Sequence, residues 1–216
     1  MRDGVRPLVL TLLDPALREE LEGLGSATVY EASGAEGGLA PGIVPLWPGA
    51  RLCGQALTVR CAPGDNLAIH RALEVAEPAV VLVVDASAHL AGYWGEVLTV
   101  AAQARGVAGL VIDGGARDSD ALERRRFPVF ARGRSILRTV KHEPGGVGEP
   151  VVAGGVLVRT GDVVLGDGDG VVAIRAERLR EVVEASRARV AKEEEVMARL
   201  RAGELTLDLL GLRRSI

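Results

Sequence analysis

The stretch from Asp85 to Asp120, DASAHLAGYWGEVLTVAAQARGVAGLVIDGGARDSD, concentrates the residue types with the most chemical capacity in this 216-residue chain. Gly92 and Gly95 precede an expected helix whose first turn is Glu96, Val97 and Leu98. Amides at a helix start have no internal acceptor and sit at the positive end of the dipole, so they suit a carboxylate or phosphate. Twenty positions separate Glu96 from Arg117-Asp118. That pair follows the apolar run GLVI (109–112) and the turn-like DGGA, which places it beyond the carboxyl end of a strand, the edge where open α/β sheets bind ligands. Arg117 can clamp a carboxylate with two parallel hydrogen bonds. Asp118 is a hard oxygen ligand suited to Mg²⁺ or Mn²⁺. The bland alternative is that the pair caps a helix and makes a surface salt bridge.

A further carboxylate lies far along the chain. In the expected long helix 176–201, Leu179, Val183, Ser186, Val190, Met197 and Leu200 form an apolar stripe, and helical spacing puts Glu193 on it while Glu195 faces away. Glu193 therefore needs a partner, either an arginine such as Arg189 or Arg199, or a functional site. GDGDG at 166–170 lacks the later Glu of a calcium loop and reads as a tight turn between strands. His70, His89 and His142 show no metal-ligand spacing, although His89 lies near the candidate site. Cys53 and Cys61 read as small buried hydrophobes.

The elements that must position these groups alternate. Helices are expected at Pro15–Leu24, Ala27–Ser33, after Asp65 or Asn66, at Glu96–Arg105 and at Ser119–Arg126. Leu52–Cys61 alternates like a half-buried strand, whereas VVLVV (80–84) and GLVI (109–112) are continuous apolar runs, the mark of strands covered on both faces. Val129–Ala131 is a third short strand. This order predicts βαβ units around one sheet. Val151–Val158, Val163–Leu165 and Val171–Ile174 then read as a meander without helices, and the long helix follows.

Composition sets outer bounds. A net charge of -3, with 26 basic and 29 acidic residues interspersed, and only 3% aromatics argue against a nucleic-acid surface. No membrane span is expected, the short apolar stretch near the N-terminus being bounded by Pro7, Asp14 and Pro15. Reduced cysteines fit the cytoplasm. No glycine-rich nucleotide loop is present. The length suits one domain over residues 1–216.

Taken with PGDNLAIHRAL (63–73), FPVFARG (127–133), GDVVLGDGDGVV (161–172) and GELTLDLLG (203–211), the 95–118 segment resembles the RraA-like family of 4-hydroxy-4-methyl-2-oxoglutarate aldolases and regulators of ribonuclease activity A. The resemblance covers nearly the whole chain. The aldolase hallmark is an acidic residue, twenty positions, then Arg-Asp; here Glu96 replaces the usual Asp. The resemblance implies a swivelling, phosphohistidine-domain-like α/β/α sandwich with the added meander and C-terminal helix, assembled as homotrimers or homohexamers. It implies that Gly95, Glu96, Val97 and Leu98 bind the carboxylate end of a small 2-oxo acid and that Arg117 holds the same substrate. Asp118 would bind a divalent metal, Mg²⁺ or Mn²⁺, Glu96 would act on that metal through water, and Glu193 would come from a neighbouring subunit's C-terminal region. The implied activity is pyruvate-releasing lyase chemistry, both aldol cleavage and oxaloacetate decarboxylation. The family's other implied roles are a non-catalytic protein-binding ring and a methyltransferase acting on a quinone precursor.

Overall fold

The computed structural model describes residues 13–215; the apolar stretch that precedes Asp14 falls mostly outside them. Helix α1 (Pro15–Leu24) starts where the Asp14 carboxylate accepts from the amides of Ala16 and Leu17 and a proline fills the first turn. Helix α2 (Ser26–Ala32) follows directly. Then come β1 (Val44–Pro45), β2 (Leu52–Arg60), α3 (Leu67–Val75), β3 (Val81–Asp85), α4 (Glu96–Ala104), β4 (Gly109–Ala116), α5 (Ser119–Arg124) and β5 (Val129–Arg134). The remainder is β6 (Gly146–Val147), β7 (Val151–Ala153), β8 (Val156–Val158), β9 (Val163–Gly166), β10 (Val171–Ile174), a 3₁₀ turn at Ala176–Arg178, α6 (Leu179–Arg201) and α7 (Thr206–Leu209).

The expected βαβ units are present. Strands β2, β3, β4 and β5 are mutually parallel neighbours, and the sheet order is β1-β5-β4-β3-β2-β9-β10, with β6 also paired to β2. Helices α3, α4 and α5 cover one face, where Ile69, Leu73, Leu98 and Leu122 pack on Leu57, Leu82, Leu110 and Ile112. Leu82, Leu110 and Ile112 are fully buried, each burial stabilising by roughly 1.5–3 kcal/mol. On the other face Val81, Val83, Val111 and Phe130 meet Val151, Ala153 and Val158 of the β7–β8 hairpin. A third cluster joins α1, α2 and α6 to β9 and β10 through Leu21, Val29, Leu165, Val172, Val182 and Val183.

Three expectations need correction. Strand β2 is not half-buried: all but Gln55 and Arg60 are buried, because β2 sits inside the sheet with a core on each side. The run 151–158 is two strands, broken by Gly154 and Gly155 at positive φ, and this hairpin forms a separate two-stranded sheet. The meander is therefore split, with only β9–β10 joining the main sheet, antiparallel along β2. The stretch DGGA, read as a turn, continues β4, because Gly115 lies under the Ala91 carbonyl where a Cβ would collide.

Cys53 and Cys61 are both free and buried, as expected, and burial pushes each thiol up to about 12. The Gly166–Gly170 turn joins β9 to β10, with Asp167 accepting from the amide and hydroxyl of Ser26. No helix among the described residues is long and apolar enough to cross a membrane.

Candidate active site at the carboxyl ends of the parallel strands

The loop after β3 and the end of β4 are tied together before any functional side chain is placed. Trp94 bridges Ala116, the Arg117 amide donates to the Trp94 carbonyl at 2.9 Å, and the Tyr93 amide donates to Gly115 O at 3.2 Å. Tyr93 and Trp94 are fully buried props. The Tyr93 hydroxyl accepts from the Gly64 amide and contacts His89 Nδ1, while Trp94 stacks on Phe127 and donates to Thr99 Oγ1. His89 thus serves the loop and is absent from the cavity lining. These aromatics positioned the site without being singled out in the sequence, where their neighbours' glycines drew the attention.

Helix α4 therefore starts beside Arg117 and Asp118. Asp118 occupies the N-cap position of α5 with φ 62°, a left-handed backbone that Asp tolerates better than most residues. Its side chain does not cap α5; Oδ2 instead accepts from the Glu96 amide at 2.9 Å, capping the neighbouring helix. These contacts are the helix cap and surface salt bridge of the bland reading, with the difference that the helix capped is α4 and not α5. The Arg117 Nε to Asp118 Oδ2 separation is 3.7 Å, so the guanidinium is loosely held and its other donors are available. The amides of Val97 and Leu98 have no backbone or side-chain acceptor among the described residues. Gly95 has no side chain because a Cβ there would collide with Asp118 Oδ2. Gly95→Ala is expected to displace the carboxylate and abolish activity while the fold persists; a crystal structure and a melting curve of the variant check both halves.

Beside this cluster opens a cavity of about 320 Å³, lined by Gly95, Val97, Leu98 and Arg117 together with Asn66, His70, Arg138 and Lys141. Its size falls in the range of small-molecule sites. Of the residues singled out in the sequence, Gly95, Val97, Leu98 and Arg117 line this cavity, and Asp118 lies beside it in the adjacent hollow. Sequence reading missed Asn66, His70, Arg138 and Lys141, which reach the cavity through contacts distant along the chain. Asp65 arranges this: its Oδ2 accepts from the amides of His142 and Glu143, while Oδ1 accepts from Leu67 at the start of α3. Burial opposes the charge of Asp65, but these three amides outweigh it and hold the carboxyl below its ordinary range.

Glu96 and Asp118 border an adjacent hollow with Asp120. Glu96 is paired to Arg125 at 2.9 Å. Among the described residues no three carboxylate, imidazole or thiolate groups converge on one point that could hold an ion. Asp118 alone fits a Mg²⁺-like cation of the kind that takes one or two protein carboxylates and completes its shell with water and substrate. Glu193 does not lie on a packed stripe: burial in α6 is confined to Val182, Val183 and Ser186. Its carboxylate pairs with Arg189, which also pairs with Glu31, and it borders a hollow with Lys192, Met197 and Leu210. Within one chain it is not part of the Arg117 cavity.

Residues 26–173 match the RraA-like family, described as Aldolase/RraA. A protein of Halalkalibacterium halodurans named "Putative 4-hydroxy-4-methyl-2-oxoglutarate aldolase" is 36% identical over 153 residues, 70% of this chain and 73% of that protein. The crystal structure of Streptomyces coelicolor RraAS2, described as an unusual member of the RNase ES inhibitor RraA protein family, superposes with a TM-score of 0.74. It is 29% identical, over 87% of this chain and 97% of that one. The RNA-processing inhibitor RraA from Thermus thermophilis gives a TM-score of 0.59 at 28% identity, over 63% of this chain and 84% of the other.

Proposed function

The chain belongs to the RraA-like family, and from that premise we propose that it is a divalent-metal-dependent carbon–carbon lyase that releases pyruvate from 4-hydroxy-4-methyl-2-oxoglutarate or a related 4-hydroxy-2-oxo acid, and also decarboxylates oxaloacetate. The observation that carries this reading is that Arg117 and the unpartnered amides of Val97 and Leu98 share one cavity, while Asp118, 3.7 Å from Arg117 Nε, borders the hollow next to it. A protein-binding surface has no need of that arrangement.

The two amides take the carboxylate of the 2-oxo acid at the positive end of α4. That leaves the 2-oxo oxygen toward Arg117. As the C3–C4 bond breaks, its electron pair moves into C2–C3 and negative charge collects on the 2-oxo oxygen, where the fixed guanidinium stabilises it. In aldol cleavage the C4 hydroxyl proton passes to water and C4 becomes a carbonyl; in decarboxylation C4 leaves as CO₂. Both leave a pyruvate enolate, which takes a proton at C3, so one site serves both reactions. A bound Mg²⁺ or Mn²⁺ supplies Lewis acidity to the 2-oxo group. Asp118 is the residue that would hold it, with Glu96 alongside. Glu96 carries one methylene more than the usual Asp, and its pairing to Arg125 keeps it at the rim of the hollow.

Self-association into trimers or hexamers belongs to the same reading, with Glu193 supplied to a neighbouring site. The exposed Met197, Leu205, Leu207 and Leu210 support it, since α6 and the segment after it leave apolar surface for a second copy to cover. A second reading, a protein-binding ring that regulates ribonuclease activity, is favoured by the likeness to the two RraA structures. Assay of pyruvate release separates the two, because the ring reading predicts none from either substrate.

A further inference from the structure

The loop that follows β3 (86–93) carries no group into the chemistry described above, yet it is built under strain. Ser87 and Ala88 are consecutive residues at φ 53° and 57°, a left-handed backbone that neither Ser nor Ala favours. Such conformations persist only where the surroundings enforce them. Three amides do part of this: Ser87 donates to Asp85 Oδ1 at 2.8 Å, Ala88 to Asp113 O at 3.0 Å and His89 to Ala86 O at 2.9 Å. A side-chain tie adds to them, because the Tyr93 hydroxyl joins the loop to the turn before α3.

Hydrogen-bond accounting at that hydroxyl leaves one solution. Tyr93 is fully buried, so its hydroxyl proton needs a protein acceptor. The oxygen accepts from the Gly64 amide at 2.5 Å, and its other partner is His89 Nδ1 at 3.0 Å. The proton therefore goes to Nδ1, which fixes His89 as the neutral tautomer protonated at Nε2. An imidazolium carries a proton on both nitrogens and can only donate. If it stayed in place, the Tyr93 proton would have no acceptor among the described residues. The His89 side chain is exposed and stands edge-on to the Tyr93 ring, so it can take a proton and turn out to water. Tyr93 is next to Trp94, whose carbonyl holds the Arg117 amide, and two residues before Gly95, where α4 begins. The state of His89 is thereby felt on both sides of the candidate site.

We propose that His89 and Tyr93 form a pH-sensitive latch: with His89 neutral the strained loop is held against the Gly64 turn and the site is formed, and protonation of His89 breaks the Nδ1 contact, lets the loop relax and switches the site off. The ionisable groups on the elements packed around the pair are Cys61 and Asp65 between β2 and α3, Asp85 at the end of β3, Asp113 on β4, paired with Arg132, and Lys141 and His142 on the segment bound to Asp65. Burial pushes Cys61 up to about 12 and Asp65 is held below its ordinary range, so neither changes charge between pH 5 and pH 8. Histidine as a residue type does, which makes His142 the competing sensor.

Amide exchange read by mass spectrometry, corrected for the intrinsic rate at each pH, follows Gly64 and residues 87–93 at pH 8 and pH 5. Protection in the wild type is expected to fall about 10-fold at pH 5, the cost of one unmade hydrogen bond. His89→Gln keeps an acceptor that does not titrate and is expected to hold the pH 8 protection at both values, while His89→Ala is expected to show the weaker protection at both. His142→Gln is expected to respond as the wild type does. The latch is overturned by wild-type protection that is equal at the two pH values, by a His89→Gln variant that still loses it, by a His89→Ala variant that keeps it, or by a His142→Gln variant that no longer responds. The effect on turnover rests on the lyase reading: kcat/KM for oxaloacetate is expected to match in wild type and His89→Gln at pH 8 and to be about 10-fold lower in the wild type at pH 5. Matching values at both, beside pH-dependent exchange, would overturn the coupling to the site. The expected exchange pattern in a protein that releases no pyruvate would uphold the latch and sink the lyase reading.

Discussion

Arg117→Ala lowers kcat/KM for pyruvate release by about 10³-fold, the upper range for losing a fixed charge at a developing oxyanion. The guanidinium has no other task of comparable weight. Its side chain is 46% exposed and its one ion pair among the described residues, to Asp118, is long at 3.7 Å. Surface pairs of that kind contribute at most about 1 kcal/mol, so the melting temperature is expected to move little. Arg117→Lys should recover only part of the loss, because an ammonium is a point charge and cannot present two parallel donors to a planar oxygen pair. Steady-state kinetics beside a thermal melt check the argument; a collapse in stability matching the loss of activity would show that Arg117 is structural.

Asp65→Ala is the largest expected loss of stability. The carboxylate is 2% exposed and accepts from the amides of Leu67, His142 and Glu143 at 2.6–2.8 Å. Truncation leaves three amides without their acceptor, a cost of about 3 kcal/mol. The sign of the pH dependence follows from the lowered carboxyl. A folded-state value below the ordinary 3.8 contributes stability that is fully present above 3.8 and is lost as the pH falls from there through the folded value. The gap between wild type and variant should therefore be widest near neutrality and close in acid. Urea denaturation at pH 7 and pH 3 measures it, and a gap that stayed constant would mean that Asp65 is not ionised in the native protein. Arg138 and Lys141 ride on the segment that Asp65 anchors, so the variant should also loosen that part of the cavity lining.

Local chemistry made much of this architecture readable. Asp14-Pro15 opens α1 where a capping carboxylate and an N-terminal proline require it, and VVLVV and GLVI are central parallel strands. The spacing from Glu96 to Arg117-Asp118 brought both to one edge because a helix and a strand of fixed rise intervene. What escaped was set by long-range contacts. The polar residues of β2 suggested a wet face, but Thr58 is buried with its hydroxyl satisfied by Glu149 O and Thr160. Asp113-Gly114-Gly115 looked like a turn, yet Asp113 pairs with Arg132 and the glycines admit the loop that carries Ala91. Of the two residues expected to open α3, Asn66 holds the N-cap position but sends its side-chain amide 27 residues away to Tyr93 O, while Asp65 takes the Leu67 amide. Arg138 and Lys141 carry no local pattern at all; long-range bonds bring their segment to the site, from Asp65 to His142, 77 residues on, and from Gly64, Asn66 and Gly92 to the backbone of Leu137 and Val140.

The same geometry explains why Asp118 deserves the decisive substitution. Asn at that position keeps the left-handed backbone and an oxygen for the Glu96 amide, and removes only the charge. The measurement is pyruvate release from 4-hydroxy-4-methyl-2-oxoglutarate and from oxaloacetate, with Mg²⁺ or with EDTA, for the wild type and Asp118→Asn. The account predicts release by the wild type that EDTA abolishes and that Asp118→Asn lowers by at least about 100-fold at unchanged melting temperature. Release that is indifferent to EDTA and to the substitution, or no release from either compound, would contradict it.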